Sequence, residues 1–286
     1  MKCRMILAAG RTLSLRRRCE LLGIARSTFY AWCRRPDSRR AATNRRLTRQ
    51  IHAIYAAMDR TYGSPRIHRE LVARGVACGR NRTARLMHAA GLRAKRTPKF
   101  VVTTDSSHAF PIAPNVLDQQ FTASAPNQIW MADITYVPTK AGWTYVAVVV
   151  DAHSRRVVGW ALEDQLTTEL PLGALQMAIR DRQPPRHLLH HSDRGTQYAS
   201  TAYRQVLAQH GIRPSMSRRG NCWDNAMVES FFATLKVERV HDRTYLNLED
   251  VRTDLTDYIE RFYNRVRRHS ALEYQSPVMY ELMNAA

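Results

Sequence analysis

Between residues 129 and 162 the sequence sets down three apolar runs with almost nothing between them. The runs 129–137, 143–151 and 156–162 are rich in Val, Trp, Tyr and Thr, side chains that suit a pleated, half-buried surface. Lys140-Ala141-Gly142 joins the first pair, and Ala152 to Arg155 joins the second. Links this short cannot carry a crossover helix, so the three strands must run as an antiparallel meander. The pattern then alternates. A helix is predicted over 168–181 with Leu170, Leu172, Leu175 and Ile179 apolar, a strand over 187–191, a helix over 198–210 and a strand over 212–216.

A meander followed by helix, strand, helix and strand is the order of the ribonuclease H-like fold, an α/β core with a five-stranded mixed sheet and flanking helices. Asn247 is placed to cap a long C-terminal helix carrying Leu248, Val251, Leu255, Tyr258, Ile259 and Phe262. The catalytic core is expected over residues 121–286.

Three acidic residues fall where this fold would bring them together. Asp133 interrupts the first strand, where an unpaired charge is costly. Asp193 ends the fourth strand before the turn residue Gly195, and Glu229 lies in a helical run. Two carboxylates at strand ends and one on a helix can hold two divalent ions for in-line attack at a phosphodiester. Oxygen-only ligation suits Mg²⁺, two ions per site, with Mn²⁺ able to substitute. Asp133, Asp193 and Glu229 are therefore the candidate catalytic residues and metal ligands. Asp151 also ends an apolar strand, but a turn role before Ala152-His153-Ser154 suffices for it; Asp224 reads as an N-cap, and His190 and His191 as packing residues. Lys236 follows Glu229 by seven residues, two helical turns, and is a candidate grip on a phosphate.

The charge says what such a site would meet. The formal net charge is +20, yet residues 1–100 hold 25 Lys/Arg against 4 Asp/Glu, and the remainder is nearly neutral. A block this basic calls for a polyanion, and double-stranded DNA is the usual one. Residues 1–43 read as a helix–turn–helix-like segment, with Leu15, Cys19, Leu21 and Leu22 on one face, Gly23 at the turn, and Phe29, Tyr30 and Trp32 on the second helix. Residues 44–92 read as a second all-helical DNA-binding unit, with caps expected at Asn44, Ser64 and Asn81. Residues 93–120, rich in Lys, Pro, Ser and Thr, read as a linker. Arg26, Arg80, Arg82, Arg85, Arg265, Arg267 and Arg268 are the candidate DNA contacts beside Lys236. The five cysteines are scattered without a C-x-x-C pair, which argues against a zinc finger and for a reducing compartment. No apolar stretch is long enough to cross a membrane.

Three segments carry a resemblance: Trp130-Met131-Ala132-Asp133-Ile134-Thr135-Tyr136, His191-Ser192-Asp193-Arg194-Gly195-Thr196-Gln197-Tyr198, and Gly220 to Phe232 with Asp224-Asn225-Ala226 ahead of Glu229. So do Tyr62-Gly63-Ser64-Pro65-Arg66-Ile67 and the ending from Tyr263-Asn264 to Ser276-Pro277. The chain resembles the IS-three family of bacterial insertion-sequence transposases, in its second-reading-frame form. The resemblance implies a catalytic core like that of retroviral integrases. It implies metal-dependent cleavage and strand transfer at the element's terminal inverted repeats and into target DNA. It also implies homo-oligomers on DNA, the product of an upstream reading frame as partner, and work at the nucleoid in a bacterial cytoplasm. In place of an integrase zinc module the chain has helical units. Two other readings stand beside it: a ribonuclease H-like nuclease, which would use the same carboxylates with water and would not need the basic front third, and a non-catalytic DNA-binding regulator of the element, which would need a broken triad.

Overall fold

The computed structural model describes residues 2–9, 13–34, 38–95, 111–218 and 222–284. The first helices are α1 (Lys2–Ala8), α2 (Leu15–Leu21) and α3 (Arg26–Arg34), which close on a small core of Ile6, Cys19 and Phe29. Gly23 makes the turn between α2 and α3 at φ +60°, a conformation that suits a residue with no Cβ. Tyr30, Trp32 and Leu21 face solvent instead of completing that core, because α1 supplies Ile6 to fill it.

The next unit is α4 (Arg39–Ala57), α5 (Ser64–Ala73) and α6 (Arg80–Ala89), packed around Leu47, Ile51, Ile54, Tyr62, Ile67, Leu71 and Met87. The caps differ from those expected. α4 starts a turn and a half before Asn44, where Ser38 Oγ accepts from the Ala41 amide at 3.2 Å. Asn44 is thus a helical residue, and its Oδ1 accepts from Arg82 at 2.7 and 3.0 Å. Gly63 and Gly79, rather than Ser64 and Asn81, occupy the cap positions of α5 and α6.

The core sheet holds β1 (Ile129–Thr139), β2 (Gly142–Asp151), β3 (Val157–Glu163), β4 (Leu189–Ser192) and β5 (Arg213–Met216) in the order β3-β2-β1-β4-β5. The first three strands pair antiparallel; β4 and β5 join in parallel. This is the ribonuclease H-like arrangement with its mixed five-stranded sheet. α7 (Glu169–Arg182), the short α8 (Thr196–Ala199) and α9 (Thr201–Gln209) cover one face through Leu170, Leu175, Tyr198, Tyr203 and Leu207. α7 lies so close that a Cβ on Gly159 of β3 would stand 2.1 Å from the Ala174 carbonyl. The other face is covered by α10 (Ala226–Leu235), which runs on as a π-helical segment to Val240, and by α11 (Leu248–Thr256), whose π-helical continuation ends at Tyr263. Asn247 caps α11 as its sequence predicts, its Oδ1 accepting from the Asp250 amide at 3.1 Å.

Part of the expected linker, residues 96–110, lies outside the described residues. Its end belongs to the core: Leu117 is 2% exposed, and the Val116 and Leu117 amides donate to Ser215 Oγ on β5 at 3.0 and 3.2 Å.

The helical unit of α4–α6 sits directly on the continuation of α10. Tyr62 Oη accepts from the Arg268 amide at 2.8 Å, Arg268 Nε pairs with Glu70 at 2.7 Å, and Lys95 Nζ with Asp242 at 3.0 Å.

Candidate active site

The pleat puts alternate β1 side chains on opposite faces. Trp130 and Ala132 go under α7 and α9, while Met131 and Val137 go under α10 and α11. Asp133 has the parity of Met131 and so shares the α10 side. The parallel register supplies its neighbour. β1 and β4 pair at Ile129↔Leu189, Trp130↔His190 and Met131↔His191. Two residues further along each chain lie Asp133 and Asp193, both at the same end of the sheet. Glu229 is in the first turn of α10, whose Val228, Phe231 and Phe232 pack on the same face. An acidic side chain in a first helical turn is favoured by the peptide dipoles.

The local backbone aims each strand carboxylate. Asp133 Oδ1 accepts from the Ile134 amide at 2.8 Å, and Asp193 Oδ1 from the Gly195 amide at 2.9 Å. A Cβ on Gly195 would stand 3.0 Å from Asp193 Oδ1, so a larger residue there would press on the carboxylate. Asp133 stays partly open to solvent. Burial, then the Asp193 charge, and to a lesser degree that of Glu229, push its carboxyl well above the usual range. Burial and Asp193 likewise raise Glu229. Burial lowers the Lys236 ammonium, and the Asp133 charge partly restores it. Lys236 Nζ rests 4.7 Å from the Tyr136 ring centroid, at the start of the π-helical segment.

This donor set suits a hard divalent cation: oxygen ligands from three carboxylates that repel one another until a positive charge relieves them. Among the described residues no three His, Cys, Asp or Glu side chains are already drawn in to metal-holding distance.

His190 and His191 are 1% and 0% exposed. His190 Nε2 meets Tyr203 Oη at 3.0 Å, and His191 meets Ser215 and Ser217 Oγ at 2.9 and 3.1 Å. Burial pushes the imidazoles down to about 3 and about 4, so both are neutral near pH 7 and neither is a proton donor to the reaction. The folded chain refuses protons that the unfolded chain accepts near 6.5. Their contribution is therefore complete above that value and is lost as pH falls toward 4. We expect thermal melts between pH 7 and pH 4 to show stability falling by up to about 1.4 kcal/mol per pH unit for each histidine. His191→Asn should flatten the profile; an unchanged slope in that variant would contradict this account.

Two buried groups escape a sequence reading. Asp224 is 0% exposed and is no N-cap; Asn225 takes that position. Asp224 accepts from Arg218, Asn115 and Gln119 at 2.8 to 3.0 Å, and the Arg218 guanidinium holds its carboxyl far below the usual range. It ties the turn before α10 to residues 115–119. Asn225, 4% exposed, donates from Nδ2 to the Ala132 carbonyl at 3.4 Å. Their place in a polar run ahead of the helix gives no hint of burial. Asp151 takes the turn role expected for it, accepting from the Asn127, His153 and Ser154 amides.

The arginines divide. Arg26 on α3, Arg80 and Arg85 on α6, and Arg265 are exposed. Arg82 is partly buried against Asn44. Arg267 is 4% exposed and chelates Glu238 with two bonds of 2.7 Å, which leaves it no face for a phosphate. Arg268 is spent on Glu70 and the Tyr274 carbonyl. These three have structural places, because the helical unit packs over the segment that carries the last two. A cleft of about 600 Å³ lies between that unit and α10, lined by Arg66, Lys95, Ser230 and Thr234 among others.

A ribonuclease H-like sheet with acidic residues gathered at one end, joined to basic helical units, defines a polynucleotidyl transferase acting on DNA. Comparison with known proteins gives the family. Residues 123–222 and 210–277 match two models described as Integrase core domain, and residues 42–100 match one described as HTH-like domain. The chain is 42% identical over 278 residues to the Transposase InsF for insertion sequence IS3A of Escherichia coli (strain K12), covering 96% of each chain. It is 43% identical over 262 residues to the Insertion element IS600 uncharacterized 31 kDa protein of Shigella sonnei, covering 92% of this chain and 96% of that one. Among solved structures, a simian T-cell lymphotropic virus intasome matches at TM-score 0.47 and 16% identity, covering 81% of this chain and 74% of that one. The chain belongs to the IS3 family of insertion-sequence transposases. It is a DNA transposase, and dependence on a divalent metal is general to this family. The nuclease and regulator readings are set aside by that near-full-length identity. Among the described residues no helix is long and apolar enough to cross a membrane.

Proposed function

We propose that Asp133, Asp193 and Glu229 form the active centre that cuts the element's ends and joins them to target DNA. The observation that carries this reading is the parallel β1–β4 register, which sets the two aspartates side by side on the face that α10 covers. The three carboxylates would hold Mg²⁺, or Mn²⁺ in its place, as two ions. When bound, these would supply Lewis acidity at the attacking and leaving oxygens of the phosphodiester. The chain's own residues do the rest. The Ile134 and Gly195 amides orient the two strand carboxylates, which lessens the ordering left to do as DNA arrives. Lys236, standing on Tyr136, holds a phosphate oxygen beside the site.

Arg26, Arg80, Arg85 and Arg265 are the exposed cations from the candidate set, and they hold the DNA backbone of the terminal repeats or the target. The cleft between Arg66 and Thr234 is the route by which an end bound to the helical unit reaches Glu229. Copies of the chain assemble on two ends together, with the upstream reading-frame product joined or bound, in the bacterial cytoplasm where the nucleoid is.

One set of reactions tests the reading. The full chain, with a duplex carrying the element's terminal repeat, joins it to plasmid DNA in Mg²⁺ and stops in EDTA. The variant Arg80→Ala/Arg85→Ala binds the same duplex more weakly, and its log-affinity against log-salt slope shrinks by about 2. Joining that persists in EDTA defeats the metal assignment, and an unchanged salt slope removes α6 from the DNA.

A further inference from the structure

Arg66 has no place yet, either in the acidic centre or among the exposed cations. It lies in the first turn of α5 and lines the cleft of about 600 Å³ between the helical unit and α10. Its side chain is 24% exposed, and the guanidinium stands 5.5 Å from the ring centroid of the buried Tyr62.

Its charge is poorly met. Among the described residues its one ion pair is to Glu238 at 3.5 Å, and its guanidinium donates no hydrogen bond. Glu238 is already spent: Arg267 takes both its oxygens at 2.7 Å, and Tyr258 Oη donates to it at 2.9 Å. Two guanidiniums therefore share one carboxylate. Burial, then the Arg267 charge, hold the Arg66 guanidinium below its usual range, and Glu238 offsets this only in part. Lys95, the other cation of the cleft, is balanced by Asp242 at 3.0 Å. A half-buried cation in excess, with an open cleft before it, is the setting in which an anion is taken up.

The opposite wall fits an anion with oxygens to spare. Ser230, Ala233 and Thr234 of α10 line it at steps of three and four residues, with Val237 beyond them. Ser230 and Thr234 bring two hydroxyls that can donate to a phosphate oxygen.

We propose that the cleft holds one backbone phosphate of the DNA end, gripped by the Arg66 fork from the helical unit and by the Ser230 and Thr234 hydroxyls from α10. This rests on the reading of the cleft as the path of that end. Ser230 follows Glu229 in the same helix, so a phosphate fixed here is set at a constant distance from the acidic residue. Arg66 is thus a positioning residue: it fixes how far along the strand from the helical unit the cut falls.

The test reads binding of the full chain to a duplex carrying the terminal repeat, by fluorescence anisotropy in EDTA, and so is independent of the acidic residues. A neutral methylphosphonate replaces each phosphate near the end in turn. At one phosphate it should weaken wild-type binding about 10- to 100-fold. Arg66→Ala should bind the unmodified duplex as weakly, with a log-affinity against log-salt slope smaller by about 1. That variant should lose nothing further at the same phosphate, while every other position costs both proteins alike. Arg66→Lys keeps the charge without the fork and should recover part of the loss. Arg66→Ala should melt no lower than wild type, since Glu238 keeps Arg267 and Tyr258. Methylphosphonate costs that match in the two proteins at every position overturn the proposal, whatever the melts show. Ala233→Trp, which fills the cleft, separates the contact from the path. If it binds the end as wild type does, the cleft is not the path and the proposal falls with that reading. If it binds weakly while no phosphate couples to Arg66, the path stands and the Arg66 contact alone fails.

Discussion

Asp193→Asn is expected to bind the element's ends as wild type does and to lose cleavage and joining by more than about 100-fold. Weakening a group that merely orients a metal ligand already costs about 10- to 100-fold, and removing a ligand's charge costs more. The substitution isolates charge from shape. Asparagine keeps an Oδ1 that can accept from the Gly195 amide, so the turn after β4 survives. It also relieves repulsion: after burial, the Asp193 charge is what raises the carboxyls of Asp133 and Glu229. Without metal, Asp193→Asn should therefore melt no lower than wild type, and calorimetric titration with Mg²⁺ or Mn²⁺ should show its metal uptake reduced. Gain of apo stability with loss of joining marks a site built for a cation. Joining at the wild-type rate would sink the catalytic assignment, and a large fall in melting temperature would recast Asp193 as a structural residue.

Arg267→Ala should destabilise the folded chain by about 3–5 kcal/mol, a large part of the 5–15 kcal/mol that holds a typical domain together. Arg267 and Glu238 are 4% and 5% exposed and share two bonds of 2.7 Å. Removing the guanidinium leaves a buried carboxylate with Tyr258 Oη at 2.9 Å and Arg66 at 3.5 Å. His269 is a poor substitute for the lost charge, because burial is the first cause that holds its imidazole low and Arg66 and Arg155 still oppose its protonation when Arg267 is gone. Replacing both partners by apolar residues, Glu238→Leu with Arg267→Met, should recover most of the loss, since no charge is then stranded. Chemical denaturation of the three proteins checks this. An Arg267→Ala variant of unchanged stability that only binds DNA less tightly would return that arginine to the DNA interface.

These two sites differ in how far the sequence reveals them. Asp133 stands out because a lone charge breaks an apolar strand, and Asp193 because it ends one before a glycine turn. Their meeting follows once the strands are ordered. Arg267 carries no such mark: Arg265, Arg267 and Arg268 look alike in sequence, yet one is exposed, one buried and one tied to Glu70. The same holds for Glu238, which lies between the cations Lys236 and Arg239 with nothing to mark it for burial, and for Asp224, whose place ahead of a helix reads as an N-cap. Helix starts also mislead. Asn44 is a good cap in isolation, but Ser38 begins the helix earlier, and the tertiary fold uses Asn44 to hold Arg82.

The sequence by itself determined the alternation of strands and helices, the three carboxylates, the segregation of basic charge and the family. Those are properties of periodicity, composition and short motifs, which act over a few residues at a time. Only the tertiary structure decided which cations are left for DNA, what pins the turn ahead of Glu229, and how the helical unit rests on the end of α10. Those outcomes depend on which distant groups meet. A buried charge must find its partner, and that partner lies 29 residues away for Arg267 and 198 for Arg268.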